Sequence, residues 1–234
     1  MAPPAQPPES APSKAVLFDS GGVLMQPIGG RWNPRADFEP TVLRRDPRID
    51  EARFTGAFEV GNRFMAAATS TPDLDDYHTA MLEHLGVPAT PDLLAELTRP
   101  VPGDVVLEVF DDVVPTLEEL RRRGVRMAVV SDAWPNLTRL HADLGIDPFF
   151  EAYAISAVLG CRKPDPRMYR HASDALGLEP GECVFVDDDP LLVAAALELG
   201  YRGRWMRRED AAAAVDPGAE VPAIASLAEL LDLV

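Results

Sequence analysis

Short apolar runs recur along the chain, and three of them end close to an aspartate. Lys14-Ala15-Val16-Leu17-Phe18-Asp19 reads as a buried strand that runs into Ser20-Gly21-Gly22, where glycine permits a sharp change of direction. Residues 125–130 precede Ser131-Asp132, and residues 183–186 precede Asp187-Asp188-Asp189. Weaker strand patterns lie at 152–157 and 201–206. Between them the period changes to that of a helix. Val113, Leu117 and Leu120 form one stripe over 113–123, which stops at Gly124. Segments 136–144 and 166–176 stop at Gly145 and Gly177. Segment 190–199 opens on Pro190 and stops at Gly200, and 227–234 reads as a short closing helix. Such alternation predicts an α/β fold, a mostly parallel sheet covered on both faces, with its site at the carboxyl ends of the strands.

The stretch 27–109 breaks the rhythm. It reads as a loop over 31–39 and then helices over 50–68, 74–85 and 91–97, with Phe54, Phe58 and Met65 on one stripe and Leu74, Met81 and Leu85 on another. It contains no β-like run and so reads as a small all-helical insertion. The expected division is an α/β core of residues 14–26 and 106–234, a helical cap of 27–105, and a disordered Pro/Ala-rich tail of 1–13. Alanines 211–214 form a second biased stretch, read as a loop or frayed turn.

Composition narrows the function classes. A chain of 234 residues, 47% hydrophobic and 26% charged, can bury one core with a modest insertion. A net charge of -16 excludes a broad nucleic-acid or anionic-membrane surface. It does not exclude a small anionic substrate, because a local cation can reverse the field within a pocket. Cys161 and Cys183 are too few for a disulfide scaffold. No apolar run reaches the roughly 18 residues of a membrane span. The proline-rich start lacks the basic and apolar regions of a signal peptide. A cytoplasmic monomer or homodimer is the expectation.

Asp19, Asp187, Asp188 and Asp189 cannot all point ionised into one pocket without a cation, and hard oxygen ligands suit Mg²⁺. For any one of them, a turn residue or helix cap is the alternative reading. Lys163, in Arg162-Lys163-Pro164-Asp165-Pro166, supports the pocket: the chain has 20 arginines but only two lysines, and a compact ammonium fits between oxyanions where a planar guanidinium does not. Its alternative reading is a surface loop cation.

These segments resemble four motifs of the haloacid dehalogenase-like hydrolases, over roughly residues 14–200. Phe18-Asp19-Ser20-Gly21-Gly22-Val23-Leu24 is similar to the first, Val130-Ser131-Asp132 to the second, Lys163-Pro164-Asp165-Pro166 to the third and Phe185-Val186-Asp187-Asp188 to the fourth. The resemblance implies a Rossmann-like three-layer α/β/α sandwich, sheet order 5-4-1-2-3, with the cap between the first and second motifs. It implies catalytic roles for Asp19 as nucleophile, Ser131 as phosphoryl ligand and Lys163 as charge partner. Mg²⁺ would be held by Asp19, the Gly21 carbonyl and Asp188, supported by Asp187. Expected substrate contacts are Ser20, Gly22, Asp132, Trp32 and Arg35. Arg31, Phe38, Arg53 and Arg63 are further cap residues, and an arginine facing the pocket would favour a second anionic group.

One position departs from the pattern. Phosphatases of this family usually carry an acid where this chain has Gly21, and its loss costs about 10²-fold to 10⁴-fold unless replaced. His78 and His84 are candidate replacements. Gly21 is also a candidate for a backbone angle that only glycine adopts. The function implied is Mg²⁺-dependent hydrolysis of a small phosphomonoester through an aspartyl-phosphate. A metal-independent haloacid dehalogenase and a non-catalytic binding member stand as alternatives, and the Asp187-Asp188 pair weighs against the first.

Overall fold

The computed structural model describes residues 12–208 and 221–234. Six strands form one parallel sheet in the order β5-β4-β1-β6-β7-β8, where β1 is Ala15–Phe18, β4 Arg126–Ser131, β5 Ala152–Ile155, β6 Cys183–Asp187, β7 Arg202–Met206 and β8 Ala223–Ile224. Renumbered along the sheet, the first five reproduce the expected order, and the two-residue β8 adds an edge that the sequence pattern does not show. The central strand has no polar face because both of its faces are covered. Val16 and Phe18 join a cluster with Val113, Leu117 and Leu120 from helix α6 (Val113–Arg122). Ala15 and Leu17 join Met168, Tyr169 and Ala172 of α9 (Pro166–Ala175) and Val193 of α10 (Pro190–Glu198) on the other side. Such burial of the whole strand is worth about 25 cal/mol per Å² of apolar surface.

Two short strands, β2 (Met25–Pro27) and β3 (Leu107–Val109), pair antiparallel where the insertion leaves and rejoins the core. The stretch 27–109 therefore does contain a strand, too short for alternation to reveal. Within it lie α1 (Phe38–Leu43), α2 (Glu51–Ala67), α3 (Leu74–Leu85), α4 (Pro91–Thr98) and a four-residue turn of helix, α5 (Gly103–Val106). Asp50, Asp73 and Thr90 accept bonds from the backbone N–H of Arg53, Asp75 and Leu93, capping three of these helices. Phe38, Phe54, Tyr77, Met81 and Leu85 close a separate apolar cluster. Helix α1 begins inside the expected loop because Phe38 and Val42 are buried in that cluster.

The remaining helices are α7 (Leu137–Asp143) and α8 (Ser156–Leu159), the latter ending a strand expected to reach residue 157. The closing helix is a 3₁₀ turn over Leu227–Asp232, capped reciprocally by Ser226 and Glu229. Ser13 is buried and donates its N–H to the Leu233 carbonyl, so the chain is ordered before residue 14. The rest of the proline-rich tail, residues 1–11, and alanines 211–214 lie outside the described residues. Among the described residues, no helix is long and apolar enough to cross a membrane.

Candidate active site

Parallel register brings the site together. Phe18 pairs with Val129 on one side and Val186 on the other, so Asp19 leaves the sheet one step later, level with Asp187. Its N–H donates to the Val186 carbonyl at 2.8 Å. Lys163 comes from the loop between α8 and α9. Its ammonium donates to Asp19 Oδ1 at 2.6 Å and to Asp187 Oδ2 at 2.7 Å, and all three residues are buried. Burial works to strip Lys163 of its proton, but Asp187 and Asp19 outweigh it and hold the ammonium charged well above its usual range. Burial pushes the Asp187 carboxyl up, against the pull of Lys163. Asp188 is raised to about 6, by burial and by the neighbouring Asp19.

One ammonium does not neutralise three carboxylates. Oxygens of Asp19, Asp187 and Asp188 all lie within 4.8 Å of one another, a hard-donor cluster that suits a divalent cation such as Mg²⁺. Asp187 has both oxygens engaged, one by Lys163 and the other by the Asp189 N–H at 2.9 Å, so it braces the cluster. Asp188 is more open. Its carboxylate lies directly against Gly22: a Cβ there would fall 2.1 Å from Oδ2, and Gly22 has φ +72°. The left-handed angle that the sequence suggests for Gly21 thus belongs to Gly22. Asp189 stands apart, capping α10 through the Leu191 N–H.

Several expected substrate contacts are otherwise engaged. The Ser20 hydroxyl lies 2.7 Å from Nε2 of His141, so its side chain is engaged there although Ser20 borders the cavity. Gly22 donates its N–H to the Met25 carbonyl and so has none for a ligand. Asp132 accepts the Lys163 N–H at 3.1 Å and lies 3.6 Å from Arg162, which makes it a positioning group for the lysine loop. Burial raises its carboxyl despite Lys163. Arg35 forks onto Asp37 at 2.6 and 3.0 Å and also donates to the carbonyls of Glu96 and Arg99. Ser131 is buried at the floor, and Trp32 faces the cavity.

That cavity, of about 1000 Å³, lies between helical insertion and sheet, with Asp19, Ser131 and Lys163 at its floor. Of the other cap candidates, Arg31 binds Glu39 at 2.9 Å and Phe38 is core. Arg53 holds the Leu85 carbonyl, and Arg63 pairs with Glu59 on the surface. His84 is exposed and does not line the cavity, whereas His78 does line it, with burial holding its imidazole down to about 4. Trp134 ties cap to core by donating Nε1–H to the Pro72 carbonyl at 2.8 Å.

The sequence pattern did not reveal the row Ser20–His141–Tyr153–Asp147, whose serine and histidine are buried and whose tyrosine and aspartate are half-buried. His141 Nδ1 lies 3.1 Å from the Tyr153 hydroxyl, which donates to Asp147 at 3.0 Å. The available signal was His141 four residues after Leu137, on the apolar face of α7. Nor did it find Arg208, which ties down the carbonyls of Gly22 and Val23 while paired with Asp112.

Comparison with known proteins gives a consistent family. A model of the haloacid dehalogenase-like hydrolases matches residues 13–200. A phosphatase of Mycobacterium tuberculosis is 30% identical, the match covering 83% of this chain and 87% of that one. An (S)-2-haloacid dehalogenase of a Pseudomonas species is 27% identical, covering 83% of each. Two other curated relatives match over only 36% and 41% of their length. Among solved structures, an L-2-haloacid dehalogenase from Xanthobacter autotrophicus has the same fold, with TM-score 0.67 and 20% identity over 94% of this chain and 98% of that one.

Proposed function

We propose that this chain, which belongs to the haloacid dehalogenase-like hydrolase family, hydrolyses a small phosphomonoester with Asp19 as nucleophile. The observation that supports this reading is the Lys163 ammonium shared between Asp19 and Asp187, with Asp188 beside them. Lys163 fixes one oxygen of Asp19 and leaves the other to attack. That oxygen bonds to phosphorus as the phosphorus–ester oxygen bond breaks, and the leaving alkoxide takes a proton from solvent. Water then attacks the aspartyl-phosphate at phosphorus, which returns the Asp19 carboxylate and releases inorganic phosphate. Ser131 and Lys163 stabilise the nonbridging oxygens. Asp19, Asp188 and the Gly21 carbonyl would hold Mg²⁺, which when bound would supply the positive charge that the carboxylates and the phosphoryl group together require. A metal-free dehalogenase would leave the acidic pair uncompensated against the carboxylate of a haloacid, whereas a Mg²⁺-dependent phosphatase uses that pair to gather the cation, so phosphate ester hydrolysis is the better match.

The test is turnover of p-nitrophenyl phosphate with Mg²⁺ beside halide release from L-2-chloropropionate. The parent should hydrolyse the phosphoester, lose activity with chelator, and lose at least about 10³-fold in Asp19→Asn. Halide release without phosphate release would replace this reading with the dehalogenase one.

A further inference from the structure

The cavity above Asp19 is large for a phosphate alone, since ordinary ligand sites span about 300–1000 Å³. Its walls are largely apolar and aromatic, formed by Ile28, Trp32, Tyr77, Val105 and Trp134, with Asn33, His78 and Asn136 as polar breaks among them. Among the described residues six large hydrophobic side chains are exposed, and three of them, Ile28 at 47%, Trp32 at 45% and Val105 at 64%, lie on this cavity. Exposed apolar side chains gathered at one concave site, rather than scattered, mark a surface that an apolar ligand covers.

Each arginine on the walls has a partner within the chain, a carboxylate for three of them and a carbonyl for Arg139. Arg31 binds Glu39, while Arg35 and Arg99 share Asp37. Arg139 donates to the Val101 carbonyl at 2.5 Å. The Arg35 pair is half-buried, and breaking it to bind a second anion would leave a charge unpaired; the Arg31 and Arg99 pairs are more exposed and Arg139 meets only a carbonyl, so these three oppose a second anion weakly. The expectation of an arginine that selects a second anionic group is therefore not met by Arg31 or Arg35.

From these two observations together we infer that the organic part of the substrate is bulky, uncharged and apolar. This rests on the phosphatase reading: the phosphate sits at Asp19, and the organic group fills the cavity between Trp32, Val105 and Trp134. Val105, on the short helix beside the mouth, is a specificity residue for it.

The experiment uses 4-alkylphenyl phosphates, phenyl through 4-butylphenyl, because their leaving groups differ in apolar size and hardly in acidity. Against them stand 4-(2-carboxyethyl)phenyl phosphate and 4-(2-hydroxyethyl)phenyl phosphate, whose leaving groups are of similar acidity. With Mg²⁺ present, kcat/KM should rise roughly threefold with each methylene until the cavity is filled, chiefly through KM. The carboxylate ester and the hydroxyl ester should fall at least tenfold below 4-butylphenyl phosphate. Val105→Lys should cut the preference for 4-butylphenyl over the carboxylate ester at least tenfold. A flat alkyl series, or preference for either polar ester, overturns the inference while leaving the phosphatase intact. An unchanged preference in Val105→Lys overturns the assignment of this wall. Failure of every ester, phenyl phosphate included, overturns the phosphatase reading and the inference with it.

Discussion

The indole of Trp32 crowds the space that a side chain at position 21 would need: a Cβ on Gly21 would lie 3.1 Å from both Cζ2 and Cη2 of that ring, so the ring must yield to admit one. The backbone of Gly21 is not left-handed, so the obstacle to an acid here is the neighbouring ring and not the dihedral angle. Gly21→Asp alone should therefore do little for esters with poor leaving groups. Paired with Trp32→Ala, the new acid has room, and kcat toward glycerol phosphate should rise by up to about 10²-fold. Equal rates for the single and double variants would show that Trp32 does not block the acid.

Gly22 should be the less replaceable of the two. Gly22→Ala places a methyl group on Asp188 Oδ2 and a side chain at φ +72°. The left-handed angle costs about 1–2 kcal/mol. Displacement of Asp188 should also weaken Mg²⁺ binding at least tenfold, read by calorimetric titration of the metal into folded protein.

Removing the shared ammonium exposes what it neutralises. Lys163→Met leaves the buried Asp19 and Asp187 facing each other, a change that costs about 3–5 kcal/mol when a buried charge loses its partner. The loss should be greatest at neutral pH and shrink in acid, where the two carboxylates can take up a proton. Denaturation with urea at pH 7.5 and 5.0 measures both. A deficit that does not depend on pH would mean that packing, not charge, is what Lys163 contributes.

Two buried imidazoles make a further contribution to acid sensitivity. Burial holds His78 and His141 down to about 4, against an ordinary value of 6.5. Folded-state values below the unfolded one mean that the unfolded chain binds the extra protons. Their stabilising effect is therefore complete above pH 6.5 and is lost as pH falls from 6.5 toward 4, by up to about 3 kcal/mol for each histidine. His78→Phe, which keeps the ring stacked on Phe38 (centroids 5.9 Å apart), should flatten part of that slope. An unaltered slope between pH 6.5 and 4.5 would exclude His78 as a source.

His141 also reaches the site through Ser20, the residue after Asp19. His141→Leu should lower kcat by about tenfold with little change in KM, because the turn that aims Asp19 loses its anchor while the cavity walls stay in place. His141→Gln, able to bond Ser20 again, should recover most of the rate. A fall in thermal stability with kcat preserved would confine His141 to the core.

Local pattern pointed to the strands that lead to Asp19, Ser131 and Asp187, because a short apolar run rich in valine and stopped by a polar turn fits a strand buried on both faces better than a helix, and its end marks the edge of the sheet. Helix bounds were legible to within a residue or two where glycine or proline stopped or opened them, as at Gly124, Gly177 and Pro190. The acidic cluster with its single lysine was legible too, since charge at a strand end demands an opposite charge. What the sequence could not decide was partnership over distance. Whether Arg35 meets a substrate or Asp37, whether Ser20 faces the ligand or His141, and which of Gly21 and Gly22 takes the left-handed angle depend on where separate elements meet. The strand β2 was equally hidden, because three residues hold no period of their own and exist as a strand only when Leu107–Val109 comes back to pair with them. Side-chain type shows which bonds a residue can make; only the packing of distant segments decides which of them are already made.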